Sequence, residues 1–310
     1  MAFISCEPNI DTQQIAQSAQ NLRENVRNID TQRITQGAQN LRENLQNFSP
    51  SSPLKKQNQE PTPESLKNTY QTQLMMVITQ ELFDQVLKDI HIDAVFGFSL
   101  GDMSALKRAG IISYKEMLML TQARAKAMQL AADASKGMMA AVLKLDSETI
   151  EKICLTHSKK DCYMIPVNYN APLQTVISGH IQAYDAIKQA CIDAGGKVLP
   201  LRVAGAFHTP LMSTHTKVYE DIIDTVELKT PKIPIFSNVT GNPTNIITKQ
   251  DLIKQMTSPV RLTSIFKQLK SLGFTHLIEI GPGNVLSQLV FKQFEGISVQ
   301  TYSNASSLEV

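Results

Sequence analysis

The segment Gly97-Phe98-Ser99-Leu100-Gly101 sets a serine between two glycines, with an apolar, β-prone run before it and the helix-prone Met103-Ser104-Ala105-Leu106-Lys107 after it. Strand, G-x-S-x-G, helix is the order a nucleophile elbow needs. The glycines let backbone pass close on both sides of a tight turn, and the serine hydroxyl then projects at a helix N-terminus. Free N–H groups there can bind a developing oxyanion. The same five residues also make ordinary turns, so the motif alone leaves both readings open.

A serine nucleophile needs a base within hydrogen-bond reach. Of the six histidines, His91 precedes the elbow strand too early, while His157, His180, His215 and His276 sit in polar or helix-flanking positions. His208, in Gly205-Ala206-Phe207-His208-Thr209-Pro210, stands among small and apolar residues at a junction and is the best candidate. The competing reading is a buried structural histidine. Arg124 lies in an Ala- and Met-rich helical stretch and on spacing alone reads as a solvated or salt-bridged surface arginine. Gly281-Pro282-Gly283-Asn284 could cradle phosphate or merely connect a strand to a helix; it lacks the Lys-Ser/Thr of a phosphate loop.

The 310 residues suffice for one large domain or two ordinary ones, and 42% apolar composition supplies a core. Thirty basic against 28 acidic residues leave a formal charge of +2 without a long basic run, which offers no electrostatic case for nucleic acid or membrane. Cys6, Cys154, Cys162 and Cys191 are scattered, with no C-x-x-C pair and no His spacing suited to zinc. Reduced thiols in a cytoplasmic protein are expected. No stretch approaches the eighteen apolar residues of a membrane span, and the first residues lack the basic and apolar regions of an export signal.

Along the chain, residues 9–27 and 28–46 form a duplicated segment identical at fourteen of nineteen positions. Apolar residues step through each copy at helical spacing (Ile15, Ala19, Leu22, Val26; Ile34, Ala38, Leu41, Leu45), with Asp11 and Asp30 as N-caps. Two short helices over 1–47 are expected, read either as a docking pair or as a duplicated surface segment. Residues 48–62, rich in Pro, Ser and charge, read as a linker. From Pro63 a helical pattern leads to the elbow strand, and two further helices are expected between Ser104 and Leu130, broken near Gly110.

Then the period changes. Gly137–Leu145 reads as a strand, Ser147–Thr156 as a helix, Cys162–Asn168 and Thr175–Ser178 as strands, Ala183–Ala194 as a helix and Lys197–Val203 as a strand. The order βαββαβ is ferredoxin-like. It fills 135–203 as an insert between 63–134 and 204–310, where strand and helix alternate. The expected fold class is therefore α/β, a parallel-sheet unit interrupted by a smaller ferredoxin-like one.

The series GFSLGD, βαββαβ insert, GAFHTPLM, SNVTG, QMTSPVR and IEIGPGNVL, from about Pro63 to Thr301, resembles the malonyl-CoA:acyl carrier protein transacylases and the acyltransferase domains of polyketide synthases. The resemblance implies an α/β-hydrolase-like large unit, a cleft against the small unit, malonyl-CoA as substrate without a further cofactor or metal, and an acyl carrier protein as partner. Carried over, Ser99 is the nucleophile, His208 its base and the Leu100 N–H an oxyanion donor. Arg124 pairs with the malonyl carboxylate, which reverses the surface reading. The segment of Gln255 orients the histidine, Phe207 excludes an α-methyl group, and Asn168 and Asn170 line the cleft. Phe98 stands where the family usually has His, and Asp102 where it has Glu. The family's Pro-Gly-Gln-Gly-Ser-Gln loop, source of a second oxyanion donor, occurs nowhere in the chain. Loss of one such donor typically costs about 10²- to 10³-fold in turnover. This absence raises the alternative of a degenerate member that acts by binding a carrier protein or synthase. A plain serine hydrolase is disfavoured, since its usual Ser…Asp/Glu…His order lacks an obvious acid partner here.

Overall fold

The computed structural model describes residues 69–88 and 90–303. The expected repeat helices and the linker lie outside the described residues. Helix α1, Thr69–Val86, is followed by the elbow, then α2, Gly101–Arg108, and α3, Tyr114–Ala134. The expected break between α2 and α3 falls at Gly110, φ +76°, a left-handed position that glycine takes without steric cost. Ser113 restarts the chain with a capping box: its hydroxyl accepts the Glu116 N–H, and the Glu116 carboxylate accepts the Ser113 N–H.

The inserted unit comprises β1 (Gly137–Leu143), α4 (Ser147–His157), β2 (Met164–Ala171), β3 (Gln174–His180), α5 (Tyr184–Asp193) and β4 (Lys197–Pro200). Its strands form one antiparallel sheet in the order β2-β3-β1-β4, the ferredoxin-like order. One face packs on α4 and α5 through Ala140, Val142, Ile150, Met164, Ile177 and Ile187. The other presents Met139, Val167 and Val176, against which Phe207 packs. Strand β1 stops two residues earlier than its apolar run because Lys144 turns the backbone left-handed, φ +70°. Strand β2 runs three residues past the expected Asn168, accommodated by register shifts at Pro166/Asn168 and Tyr169/Ala171.

The chain then re-enters the larger unit: α6 (Lys217–Ile223), β5 (Ile235–Phe236), β6 (Pro243–Thr244), α7 (Lys249–Thr257), α8 (Leu262–Ser271), β7 (His276–Ile280), α9 (Val285–Phe291) and β8 (Ser298–Tyr302). Strands β7 and β8 are parallel. The strand expected ahead of Ser99 is extended but bridges β5 at one residue. The Val95 N–H donates to Pro234 O at 3.0 Å and the Phe236 N–H to Val95 O at 2.9 Å, in parallel sense. Burial on both faces holds it: Ala94, Val95 and Phe96 are at most 2% exposed. Val95 faces a core shared with α1, α2 and α3, while Ala94 and Phe96 face one shared with α8, β7 and α9.

The two units are sewn together by β2. The Val260 N–H donates to Val167 O (2.7 Å) and the Tyr169 N–H to Val260 O (3.0 Å), so the residues just after α7 continue the small sheet.

At the Gly-Pro-Gly turn, the Glu279 carboxylate accepts the N–H groups of Leu286 (3.0 Å) and Ser287 (2.8 Å). The donors a phosphate would need are taken by the protein's own anion, so the turn is a strand-to-helix connection. No helix among the described residues is long and apolar enough to cross a membrane, and no group of three or more His, Cys, Asp or Glu among them could hold a metal ion.

Candidate active site

The elbow is closed by steric necessity. A Cβ on Gly97 would lie 1.9 Å from Asp102 N and 2.0 Å from Gly101 C, so only glycine lets the incoming strand and the first turn of α2 approach this closely. Ser99 sits at the apex with φ +52°, a left-handed conformation uncommon outside glycine. His208 shares the feature, φ +62°. Its loop is threaded through a narrow gap: a Cβ on Gly205 would be 2.5 Å from the Ala132 Cβ, and one on Gly137 would be 2.6 Å from the Ala206 Cβ. Thr209 fixes the exit, its hydroxyl donating to Ala206 O (2.7 Å) and accepting the Leu211 N–H (3.2 Å).

These turns bring the two side chains together across 109 residues of sequence, with Ser99 Oγ and His208 Nε2 at 2.7 Å. His208 Nδ1 lies 3.0 Å from the main-chain oxygen of Gln255. A carbonyl oxygen can only accept, so Nδ1 carries the proton and the Nε2 lone pair faces the serine hydroxyl. Burial, seconded by the nearby Arg124 charge, depresses His208 to about 4, leaving the imidazole neutral near pH 7.

Arg124 is 1% exposed at the middle of α3, which corrects the surface reading that spacing gave. Its Nη1 donates to Gln73 Oε1 (2.6 Å), and Nη2 lies 3.2 Å from both Ser99 Oγ and Gln255 Oε1. Its Nε is buried without a hydrogen-bond partner, and no carboxylate of the described residues stands within ion-pair distance. Burial lowers its pKa from the ordinary arginine value.

Gln255 serves three neighbours. Besides taking the His208 and Arg124 bonds, its Nε2 donates to Ser99 O at 2.7 Å. Leu100, at the N-cap of α2, has its main-chain N–H uncommitted to any protein acceptor among the described residues, whereas the Ser99 N–H is tied to Asn238 Oδ1 (2.9 Å). Phe207 lies between the large core and the apolar face of the small sheet. Asn168 and Asn170 are buried, their Oδ1 atoms without hydrogen-bond partners among the described residues, and neither side chain hydrogen-bonds the serine, histidine or arginine. Two contributors escaped sequence reasoning: Gln73 belongs to the buried face of α1 and Asn238 to the SNVTG turn. Asp102, read only as standing where the family has Glu, is the third group the site adds.

Asp102 is buried and accepts from Asn238 Nδ2 at 2.6 Å. Burial pushes its carboxyl from 3.8 up to about 8, against the pull of Arg124. Asp102 therefore stabilises the fold fully below pH 3.8, and this contribution is lost as pH rises through about 8. The depressed His208 acts oppositely, its contribution present above 6.5 and lost as pH falls toward 4. Between pH 6.5 and 8 only the first of these operates. Urea midpoints are expected to decline over that interval in the wild type and to flatten in Asp102→Asn; a wild-type midpoint that rises there contradicts the assignment.

The acyl transferase domain family model matches residues 13–308, a wider span than the motif series from Pro63. The malonyl CoA-acyl carrier protein transacylase of Staphylococcus aureus strain MSSA476 is 34% identical over 230 residues, covering 73% of this chain and 75% of its own. Among solved structures, an acyl carrier protein S-malonyltransferase from Vibrio cholerae superposes with a TM-score of 0.75 at 31% identity, over 81% of this chain and 84% of its own. A malonyl-transacylase solved in complex with its type II polyketide synthase acyl carrier protein gives 0.76 at 30% identity, over 81% and 82%. Sequence, fold and the serine–histidine geometry converge, and the chain belongs to the acyl transferase domain family.

Proposed function

We propose that this chain moves a malonyl group from CoA to the phosphopantetheine thiol of an acyl carrier protein through an ester on Ser99. The observation that carries the reading is the relay from Ser99 Oγ through neutral His208 to Gln255 O, with a guanidinium 3.2 Å from the same hydroxyl that pairs with no carboxylate among the described residues. In the first half-reaction His208 Nε2 takes the hydroxyl proton as Ser99 Oγ attacks the thioester carbonyl carbon. The carbonyl oxygen becomes an oxyanion facing the Leu100 N–H. The C–S bond breaks, and the proton on His208 passes to the CoA sulfur. In the second half, His208 takes the proton of the carrier thiol, its sulfur attacks the ester carbon, and the C–O bond breaks. Ser99 Oγ recovers the proton.

Arg124 supplies selectivity: a buried cation without a counter-ion is costly, and the free carboxylate of malonyl satisfies it in a way acetyl cannot. Phe207 closes the space beside the α-carbon, and Asn170 lines the cleft.

Full-length protein mixed with malonyl-CoA is expected to gain one malonyl group by intact mass, and Ser99→Ala none. Absence of a wild-type adduct removes the proposal. The missing Pro-Gly-Gln-Gly-Ser-Gln loop favours a second reading, a weakly active or inactive member that serves by binding a carrier protein or synthase. It predicts carrier-protein binding with little or no transfer.

A further inference from the structure

The turn leaving β5 carries a buried amide. Asn238 is 1% exposed, and its side chain reaches the elbow with both amide hydrogens and its oxygen in use. Oδ1 accepts the Ser99 N–H at 2.9 Å, while Nδ2 donates to Gly97 O at 2.8 Å and to Asp102 Oδ1 at 2.6 Å. One side chain thus ties the end of the incoming strand, the apex of the turn and the first turn of α2.

The apex needs such a tie. A non-glycine residue in the left-handed region is disfavoured and persists only where its surroundings over-determine it, and Ser99 has φ +52°. Asn238 is itself fixed from behind. Its main-chain oxygen accepts the Arg261 N–H (2.8 Å), and Ser237 Oγ accepts the N–H groups of Val239 (3.2 Å) and Thr240 (3.3 Å). Gly241 seats the same turn on α8, where a Cβ would lie 2.3 Å from the Ser264 Cβ.

We infer that Asn238 is a positioning residue for Ser99: it holds the nucleophile in its left-handed turn so that Oγ meets His208 Nε2, and by occupying the Ser99 N–H it leaves the Leu100 N–H as the donor aimed at the oxyanion. The inference rests on Ser99 as the reacting hydroxyl in the proposed function and is independent of which acyl group is carried. Asn238→Asp keeps an acceptor for the Ser99 N–H but loses the Nδ2 donor to Gly97 O and Asp102 Oδ1. Asn238→Asp combined with Asp102→Asn restores the link to α2 with donor and acceptor exchanged.

Phenylmethylsulfonyl fluoride reads the serine without malonyl chemistry. The Ser99 Oγ–S bond forms, the S–F bond breaks, fluoride leaves, and the hydroxyl proton passes to His208 Nε2. Rates of sulfonylation and of malonylation from malonyl-CoA are followed in parallel by intact mass, with melting curves and malonyl-CoA binding to Ser99→Ala backgrounds as controls. Asn238→Asp is expected to slow both reactions about 10²-fold, the cost of a misplaced reacting group, with malonyl-CoA binding unchanged. The swap Asn238→Asp with Asp102→Asn is expected to recover about tenfold of that loss, as coupled neighbours do. Asn238→Asp reacting as fast as wild type, or a folded swap reacting no faster than Asn238→Asp, overturns the inference. If Asn238→Asp is recovered unfolded, Asn238→Ala takes its place in the comparison. A wild type that sulfonylates but does not malonylate overturns the proposed function and leaves the role of Asn238 under test.

Discussion

Replacing Arg124 by alanine is expected to lower kcat/KM for malonyl-CoA about 10²- to 10³-fold, equivalent to about 3–4 kcal/mol, and to move preference toward acetyl-CoA. The direction follows from what the guanidinium touches. Three of its contacts are neutral oxygens, those of Gln73, Gln255 and Ser99, and its Nε has no hydrogen-bond partner among the described residues. The nearest acid, Asp102, is pushed up to about 8 by burial and is largely protonated near neutrality. A cation so enclosed is poorly compensated until an anion arrives, and in the proposed reaction the free carboxylate of malonyl-CoA is that anion. With alanine the malonyl carboxylate enters an uncharged pocket and pays its desolvation unassisted, whereas acetyl carries no charge to desolvate. Arg124→Lys keeps the charge but not the bidentate fork and should fall between the two. Paired kcat/KM values for malonyl-CoA and acetyl-CoA measure the effect. Equal losses for both substrates mean that Arg124 supports the fold of the site rather than the choice of acyl group.

The elbow was legible because its determinants are local: a glycine, Gly97, where backbone passes within 2.0 Å of an added Cβ, and a helix-former run immediately after. The ferredoxin-like order was legible from alternation of period, and its strand ends were not, because Lys144 ends β1 by a left-handed turn that no glycine announces. Arg124 shows a signal that was present and under-read. Met117, Leu120, Thr121, Ala127, Met128 and Ala131 surround it at helical spacing and are all buried, which places position 124 in the centre of the stripe. Alanines contribute little to an apolar pattern, so the stripe looked weak while permitting the closest packing. Asn238 and Gln73 were not legible at all. Each acts through a hydrogen bond to a residue far along the chain, 139 positions away for Asn238 to Ser99 and 51 for Gln73 to Arg124. Only the parallel bridge between Val95 and β5, and the packing of α1 on α3, bring those partners together.

Removing the proposed base is the other large expected effect. His208→Ala is expected to slow acylation of Ser99 about 10³- to 10⁴-fold, near the top of the range for general base catalysis, since the serine hydroxyl then has no acceptor at 2.7 Å and no neutral group to take its proton. The wild-type pH dependence carries an independent signature. Burial and the Arg124 charge hold the free-enzyme His208 near 4 rather than 6.5, and kcat/KM reports ionisations of the free enzyme. Acylation should therefore rise with pH to an inflection near 4 and be flat across 5.5 to 7. Arg124→Ala removes the second cause of the depression and should move that inflection upward, toward the ordinary histidine value, without abolishing it. Single-turnover acylation by malonyl-CoA across pH measures all three enzymes. An inflection at 6.5 in the wild type means that water or a counter-ion reaches His208, and a residual rate in His208→Ala close to wild type means that another group takes the proton. Because Nδ1 is held by a carbonyl oxygen instead of a carboxylate, no buried acid offsets an imidazolium once formed. The relay is thereby biased toward the neutral base between the proposed half-reactions, and a malonyl carboxylate bound at Arg124 would ease its protonation.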